Sequence, residues 1–298
     1  MKIAIIDSGA NEYCLNRINV IQYESFVNNK EDKSLHGTAC ALLINKLVKA
    51  EYYILKILDG EGAGTSKCLV QALEHMLYVD VDIINMSIST NSSTCEDELY
   101  KLCAELSLQN KVIVAAQMNR QTTATYPAFF DCVIGVKGGS YYDSKRFILR
   151  EEQAIQYTFD STPVFVKVDN SIYKLFKGNS KACALATAHL SCSNTLAFQE
   201  DKYHSAKENR ITFTIENIEQ IVSELFGDCR NNRIFGRHNK LSIAKCVDIL
   251  HKIENSYSIS IDYETISFKD ILKISSLHHA INNTWAFSRC QEVKSIFV

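Results

Sequence analysis

The chain predicts an α/β fold, a doubly wound parallel sheet with helices on both faces, followed by a small, mainly helical carboxyl-terminal bundle. Three observations lead there. Short β-branched runs recur along the first half of the chain. Amphipathic stripes at helical spacing separate them, so strand and helix alternate. The last third loses the strand runs and keeps the helical stripes.

Taken in order, Lys2 to Ile6 is the first strand, and Tyr52 to Leu58 the next apolar run. Val81 to Met86 and Lys111 to Ala116 repeat the pattern. Continuous apolar strands of this kind are buried on both faces, as in a covered parallel sheet. Between them Leu69, Val70, Leu73, Met76 and Leu77 form one helical stripe, with Ser66 as its N-cap. Leu99, Leu102, Cys103 and Leu106 form a second. An Ala-rich helix starts at Ser180 and runs on through Leu190. The polar stretch from Gln199 to Arg210 reads as a linker, which divides the chain into residues 1–205 and 211–290. Beyond it, Ile215 to Phe226, Leu241 to Ile253 and Phe268 to Ile281 read as helices.

Composition narrows the function classes. A chain of 298 residues with a formal net charge of −2 and no long block of like charge offers no electrostatic footprint for nucleic acid or an anionic membrane. No apolar run approaches the ~18 residues of a membrane span. The first apolar stretch meets Asp7 too soon for the core of a signal peptide. Eleven cysteines, an odd number without C-x-x-C pairs, indicate neither a disulfide framework nor a zinc site. They read as reduced thiols, and the cytoplasm as the compartment.

The chemistry lies in three segments: Ile5-Ile6-Asp7-Ser8-Gly9, His36-Gly37-Thr38-Ala39 and Gly178-Asn179-Ser180-Lys181-Ala182. A serine hydroxyl is a weak nucleophile until a neighbouring base takes its proton, and that base needs an orienting group. Ser180, His36 and Asp7 fit those roles, and Asp7 falls at the carboxyl end of its strand, where open α/β sheets keep their sites. The chain order Asp, His, Ser separates this arrangement from those of chymotrypsin and the α/β-hydrolases.

On these motifs the chain resembles the subtilisin-like (subtilase) serine peptidases over residues 1 to about 200. The resemblance implies a subtilisin-like sheet, peptide-bond hydrolysis, and no cofactor or catalytic metal. It implies that Asn119, closing Val112-Ile113-Val114-Ala115-Ala116-Gln117-Met118-Asn119, donates to the oxyanion. Gly62-Ala63-Gly64 and Ser87-Ile88-Ser89 match the family's two substrate-binding edges. Gln117, Met118 and Arg120 match the walls of the pocket for the residue before the cut. Met118 stands in place of a Gly, and Arg120 where many relatives carry Glu, so a small, polar or acidic residue is expected there.

Other departures are Lys181 and Cys183 beside the nucleophile, where Met and Ser are usual, and Ala184 in place of a Pro. Cys183 lies on the wrong turn of its helix to attack and is expected to pack. Secreted relatives carry a calcium loop between the His helix and the next strand, whereas Asn45 to Glu51 runs almost directly into Tyr52. The chain also begins on the Asp strand, where secreted relatives have a signal and a propeptide. These departures suggest a cytoplasmic endopeptidase of narrow specificity, acting on a precursor such as the leader of a bacterial modified peptide or bacteriocin. The rival reading is a catalytically weak peptide-binding module on the same fold.

The tail has two readings. Ile215 to Phe226, followed by Phe235-Gly236, resembles the last helices of a subtilase core. The span to Ile281 also resembles a small acyl- or peptidyl-carrier bundle, through Ser258 to Asp262 and Phe268 to Ile274. The position that would hold phosphopantetheine falls on Ile243, with Ser242 one residue out of register, so no such group is expected. A bundle of this kind is a candidate docking surface for a partner.

Overall fold

A computed structural model describes residues 1–119, 124–139, 144–192, 215–226, 234, 242–257, 261, 266–267 and 269–281. The chain divides into two compact units, Met1–Thr162 with Val168–Gln199, and Pro163–Lys167 with Glu200–Val298.

In the first unit, β1 (Lys2–Asp7), β2 (Asn19–Ser25), β3 (Glu51–Lys56), β4 (Ile83–Met86), β5 (Val112–Ala116), β6 (Ile134–Gly139), β7 (Phe147–Leu149) and β8 (Tyr157–Asp160) form one sheet. Its order is β2-β3-β1-β4-β5-β6-β8-β7. Every pairing is parallel except β7 with β8. β1 is central, and all its residues past Lys2 are buried, which is why it reads as a continuous apolar run.

The helices are α1 (Glu12–Leu15), α2 (His36–Leu47), α3 (Ser66–Met76), α4 (Glu96–Leu108) and α5 (Asn179–Ser191). On one face, Leu69, Leu73 and Met76 of α3 and Leu99, Cys103 and Leu106 of α4 share a core with Ala4, Ile6, Ile84, Met86, Ile113 and Ala115. The stripes legible in the sequence are therefore the buried stripes. α2 and α5 pack on each other and on the sheet. They show little amphipathicity because they are buried almost all round, from Gly37 to Asn45 and from Ser180 to Ala188. The Ala residues of α5 allow that close approach.

Two readings need correction. The cap of α3 is Thr65, whose hydroxyl accepts the backbone N–H of Cys68 at 3.2 Å, and Ser66 is already helical. The segment from Phe268 to Ile281 is not one helix. A 3₁₀ turn, Asp270–Leu272, is followed by extended backbone at Lys273 and by a helix over 274–281. The Asp270 carboxylate turns back to accept the amide of Ser267 at 2.9 Å and its hydroxyl at 2.6 Å, closing the start of that turn.

The second unit contains β9 (Val164–Lys167), α6 (Ile215–Phe226) and α7 (Ile243–Tyr257). α6 packs on α7. Its buried residues, Ile218, Ile221 and Val222, follow helical spacing, as do Cys246, Ile249, Leu250 and Ile253 of α7. Ile271, Ile274, Leu277 and Ile281 are buried with them, and Val164 forms a bridge with Ser267. The linker read over 199–210, and most of Ser258 to Asp262, lie outside the described residues. Among the described residues no helix is long and apolar enough to cross a membrane.

Candidate active site

β1 carries Asp7 to the carboxyl edge of the sheet and buries it completely. Its Oδ1 accepts the backbone N–H of Ser8 at 2.7 Å and lies 2.8 Å from His36 Nδ1. His36 opens α2, and the turn before it is held by Asp32, which the motifs did not single out. Asp32 Oδ1 accepts from Ser8 Oγ at 2.9 Å, Ser34 Oγ at 3.0 Å and the Leu35 amide at 2.8 Å. Its Oδ2 accepts the Thr38 amide at 2.9 Å. Leu35, immediately before His36, is held in the left-handed region at φ 56°. Gly37 donates its amide to Ser8 Oγ at 2.8 Å and lies so close to the Gly9 carbonyl that any Cβ there would clash. The sequence signal for Asp32 was present, an acidic residue just ahead of a helix start, but it reads there as an ordinary cap.

Burial works against a charged His36, yet the Asp7 carboxylate and the neighbouring Cys40 push its pKa well above the usual histidine value. The Cys40 thiol is itself driven up, first by burial and then by Asp7. The ring of Phe176, which ends β10 (Tyr173–Phe176), meets the imidazole edge-on at 5.7 Å.

Ser180 stands in the first turn of α5, after Gly178 at φ 81°, a backbone conformation that a side chain would strain. Its Oγ donates to the Ser87 carbonyl at 3.1 Å. Ser87 Oγ in turn donates to the Ser180 carbonyl at 3.3 Å. Cys40 Sγ lies 3.8 Å from Asp7 Oδ2 and 4.0 Å from His36 Nδ1. Asn85, two residues before Ser87 in the chain, donates to Thr187 Oγ1 at 2.7 Å and to Cys183 Sγ at 3.3 Å. Cys183 is fully buried against the carbonyls of Met86 and Val114, as expected of a packing residue.

Asn119 is exposed just past β5, and its Oδ1 accepts the Asn179 amide at 3.0 Å. That bond turns the Nδ2 donor the other way. Asn179, a second residue the motifs passed over, accepts from the Gly138 amide at 2.8 Å and donates to the Gln117 carbonyl at 2.7 Å. Gln117 and Met118 are half-buried beside Asn119, whereas Arg120 lies outside the described residues.

Ser87, Ile88 and Ser89 follow β4, and Gly62, Ala63 and Gly64 follow β3. These two strands flank β1, so the segments emerge on either side of Asp7. Gly62 to Gly64 are exposed, in a turn shaped by Asp59, whose Oδ1 accepts the amides of Glu61 at 2.9 Å and Ala63 at 3.0 Å. Ser87 is buried and Ile88 and Ser89 are half-buried. Among the described residues, the one group of three side chains with metal-ligating atoms mutually close is Asp7, His36 and Cys40, within 4.8 Å. All three already belong to the hydrogen-bonded site.

The subtilase family model (Peptidase_S8) matches residues 1–227, a span that includes every residue of this site as well as α6. The chain is 25% identical over 214 residues to minor extracellular protease Epr of Bacillus subtilis (strain 168), which covers 67% of this chain and 32% of that protein. It is 24% identical over 239 residues to subtilisin DY of Bacillus licheniformis, 73% of this chain and 84% of that one. With subtilisin E of Bacillus subtilis (strain 168) it shares 28% over 156 residues, 46% of this chain and 40% of the other. The chain thus spans about a third to about four-fifths of the relatives it matches. With a family match over three-quarters of its length and a sheet that brings Asp7 to His36, the chain belongs to the subtilase family.

Proposed function

We propose that the chain is a serine endopeptidase in which Ser180 attacks, His36 is the general base, Asp7 orients it and Asn119 stabilises the oxyanion. The observation that carries this reading is the 2.8 Å contact between the buried Asp7 Oδ1 and His36 Nδ1. With Nδ1–H donated to the carboxylate, the neutral ring keeps its lone pair on Nε2, the nitrogen left to take the Ser180 proton. His36 then returns that proton to the leaving amine, and Asp7 stabilises the imidazolium formed between the two steps. The resting Ser180 hydroxyl leans on the Ser87 carbonyl. An extended peptide laid along Ser87 to Ser89 offers its own N–H to that carbonyl and frees the hydroxyl for His36. The tetrahedral oxyanion is met by the amide of Asn119 and by backbone N–H at the start of α5.

A reducing compartment such as the cytoplasm is proposed because the nine described cysteines are all free thiols, five of them buried. A peptidase sharing that compartment with the cell's own proteins has to be selective. A single precursor peptide, cleaved at one bond with a small, polar or acidic residue before it, is the substrate class proposed. A fluorophosphonate probe tests the reading. Covalent labelling of the wild type at Ser180, absent in Ser180→Ala, supports it. No labelling of the folded wild type favours a peptide-binding module, a role in which the Ser180 hydroxyl stays on the Ser87 carbonyl.

A further inference from the structure

The residue after Ser180 is a lysine with a fully buried side chain. Lys181 Nζ donates to Asp160 Oδ2 at 2.7 Å and to the Thr162 carbonyl at 2.9 Å, and the two charged side chains are 0% and 1% exposed. Asp160 ends β8 and also accepts from Thr162 Oγ1 at 2.7 Å. Burial alone favours the neutral acid, but donors from Lys181 and Thr162 hold the Asp160 carboxyl below its usual range. The same turn grips the other side of the nucleophile. Gly178 donates its amide to the Ser161 carbonyl at 2.9 Å, and Ser161 is fastened through its own amide to Gly139 of β6 at 2.8 Å.

We propose that the Asp160–Thr162 turn is a clamp that fixes Ser180 from both sides, with Lys181 as a positioning residue for its attack. This rests on the serine-peptidase reading above. Desolvating two ions takes several kcal/mol each, and a pair of well-packed apolar side chains fills such a site at least as stably. What the apolar pair lacks is direction. Two short bonds from one ammonium to the end of β8 and the turn beyond it fix where the first turn of α5 sits, and a nucleophile displaced by about 1 Å loses on the order of 10²-fold in rate.

The experiment compares the full-length wild type, Lys181→Met, and the double variant Lys181→Met with Asp160→Leu. Fluorophosphonate labelling is resolved into maximal rate and half-saturating concentration, alongside the thermal midpoint. The single variant is expected to lose stability, because a buried carboxylate is left without its ammonium. The double variant is expected to regain the wild-type midpoint while labelling about ten- to 10²-fold more slowly at saturation, with half-saturation within about twofold. A maximal rate that returns together with the midpoint would overturn the clamp and leave only packing. If Lys181→Met does not fold, the double variant, which leaves no buried charge unpaired and neither bond from Lys181 in place, carries the test alone. Slow labelling of that variant supports the clamp, and a wild-type rate overturns it. Failure of the wild type to label sinks the peptidase reading and this one together, whereas fast labelling of every variant sinks only this one.

Discussion

The side-chain oxygen of Asn119 accepts the backbone N–H of Asn179, the residue directly before Ser180, at 3.0 Å. Asn119 and Ser180 are thereby referenced to the same peptide, and Asn119 presents its NH₂ group away from it. Asn119→Ala is expected to reduce kcat about 10²- to 10³-fold with KM little changed. Asn119→Asp keeps the acceptor for Asn179 but loses the donor and sets a carboxylate beside the oxyanion, so a loss at least as large is expected. Steady-state kinetics on a cleaved peptide check both, and a wild-type kcat in either variant removes Asn119 from the oxyanion site.

The pH profile carries the signature of the Asp7–His36 pair. His36 acts as a base only when neutral, and its pKa lies above the ordinary 6.5 because Asp7 favours the cation despite burial. kcat/KM should therefore rise with pH along a limb displaced to the alkaline side of 6.5. Asp7→Asn removes the charge, moves that limb to lower pH and cuts kcat by about 10⁴-fold. A limb at the same pH in wild type and variant would show that Asp7 does not act on His36.

Asp32 satisfies four donors around the start of α2, two of them backbone amides. Asp32→Ala leaves those amides, one of them buried, without this acceptor and releases Leu35 from its left-handed conformation. A loss of about 2–4 kcal/mol in unfolding free energy is expected. Because His36 follows Leu35, labelling of Ser180 should slow as well. Denaturant titration and probe kinetics read the two effects separately, and a stability within about 0.5 kcal/mol of wild type would contradict the capping role.

Calcium should be dispensable. α2 ends at Leu47 and β3 starts at Glu51, with the Val48 amide closing the helix on the Ile44 carbonyl at 2.8 Å. Val48, Lys49 and Ala50 bring no side-chain oxygen toward the about six to eight ligands a calcium ion takes. Chelation should leave the melting temperature unchanged. A fall that calcium restores would refute this.

The sequence by itself determined the sheet's central strand, the buried stripes of α3 and α4, and the three segments holding Asp7, His36 and Ser180. These features are carried by side chains a few residues apart, where period and motif are visible on the chain. It also marked α6 and α7, whose apolar residues repeat at helical spacing. The edge strands β2 and β7 escaped it because half-exposed strands lack a long apolar run. Tertiary structure alone decided that Asp32 would serve Ser8, that Asn179 would bridge Gly138 and Gln117, and that Lys181 would be a buried ion rather than a surface lysine. In each case the partner lies 21 to 62 residues away. A polar side chain is caps-and-surface by default, and only the folded sheet, by bringing strand ends and their turns together in a low-dielectric place, makes a directed bond there worth its desolvation.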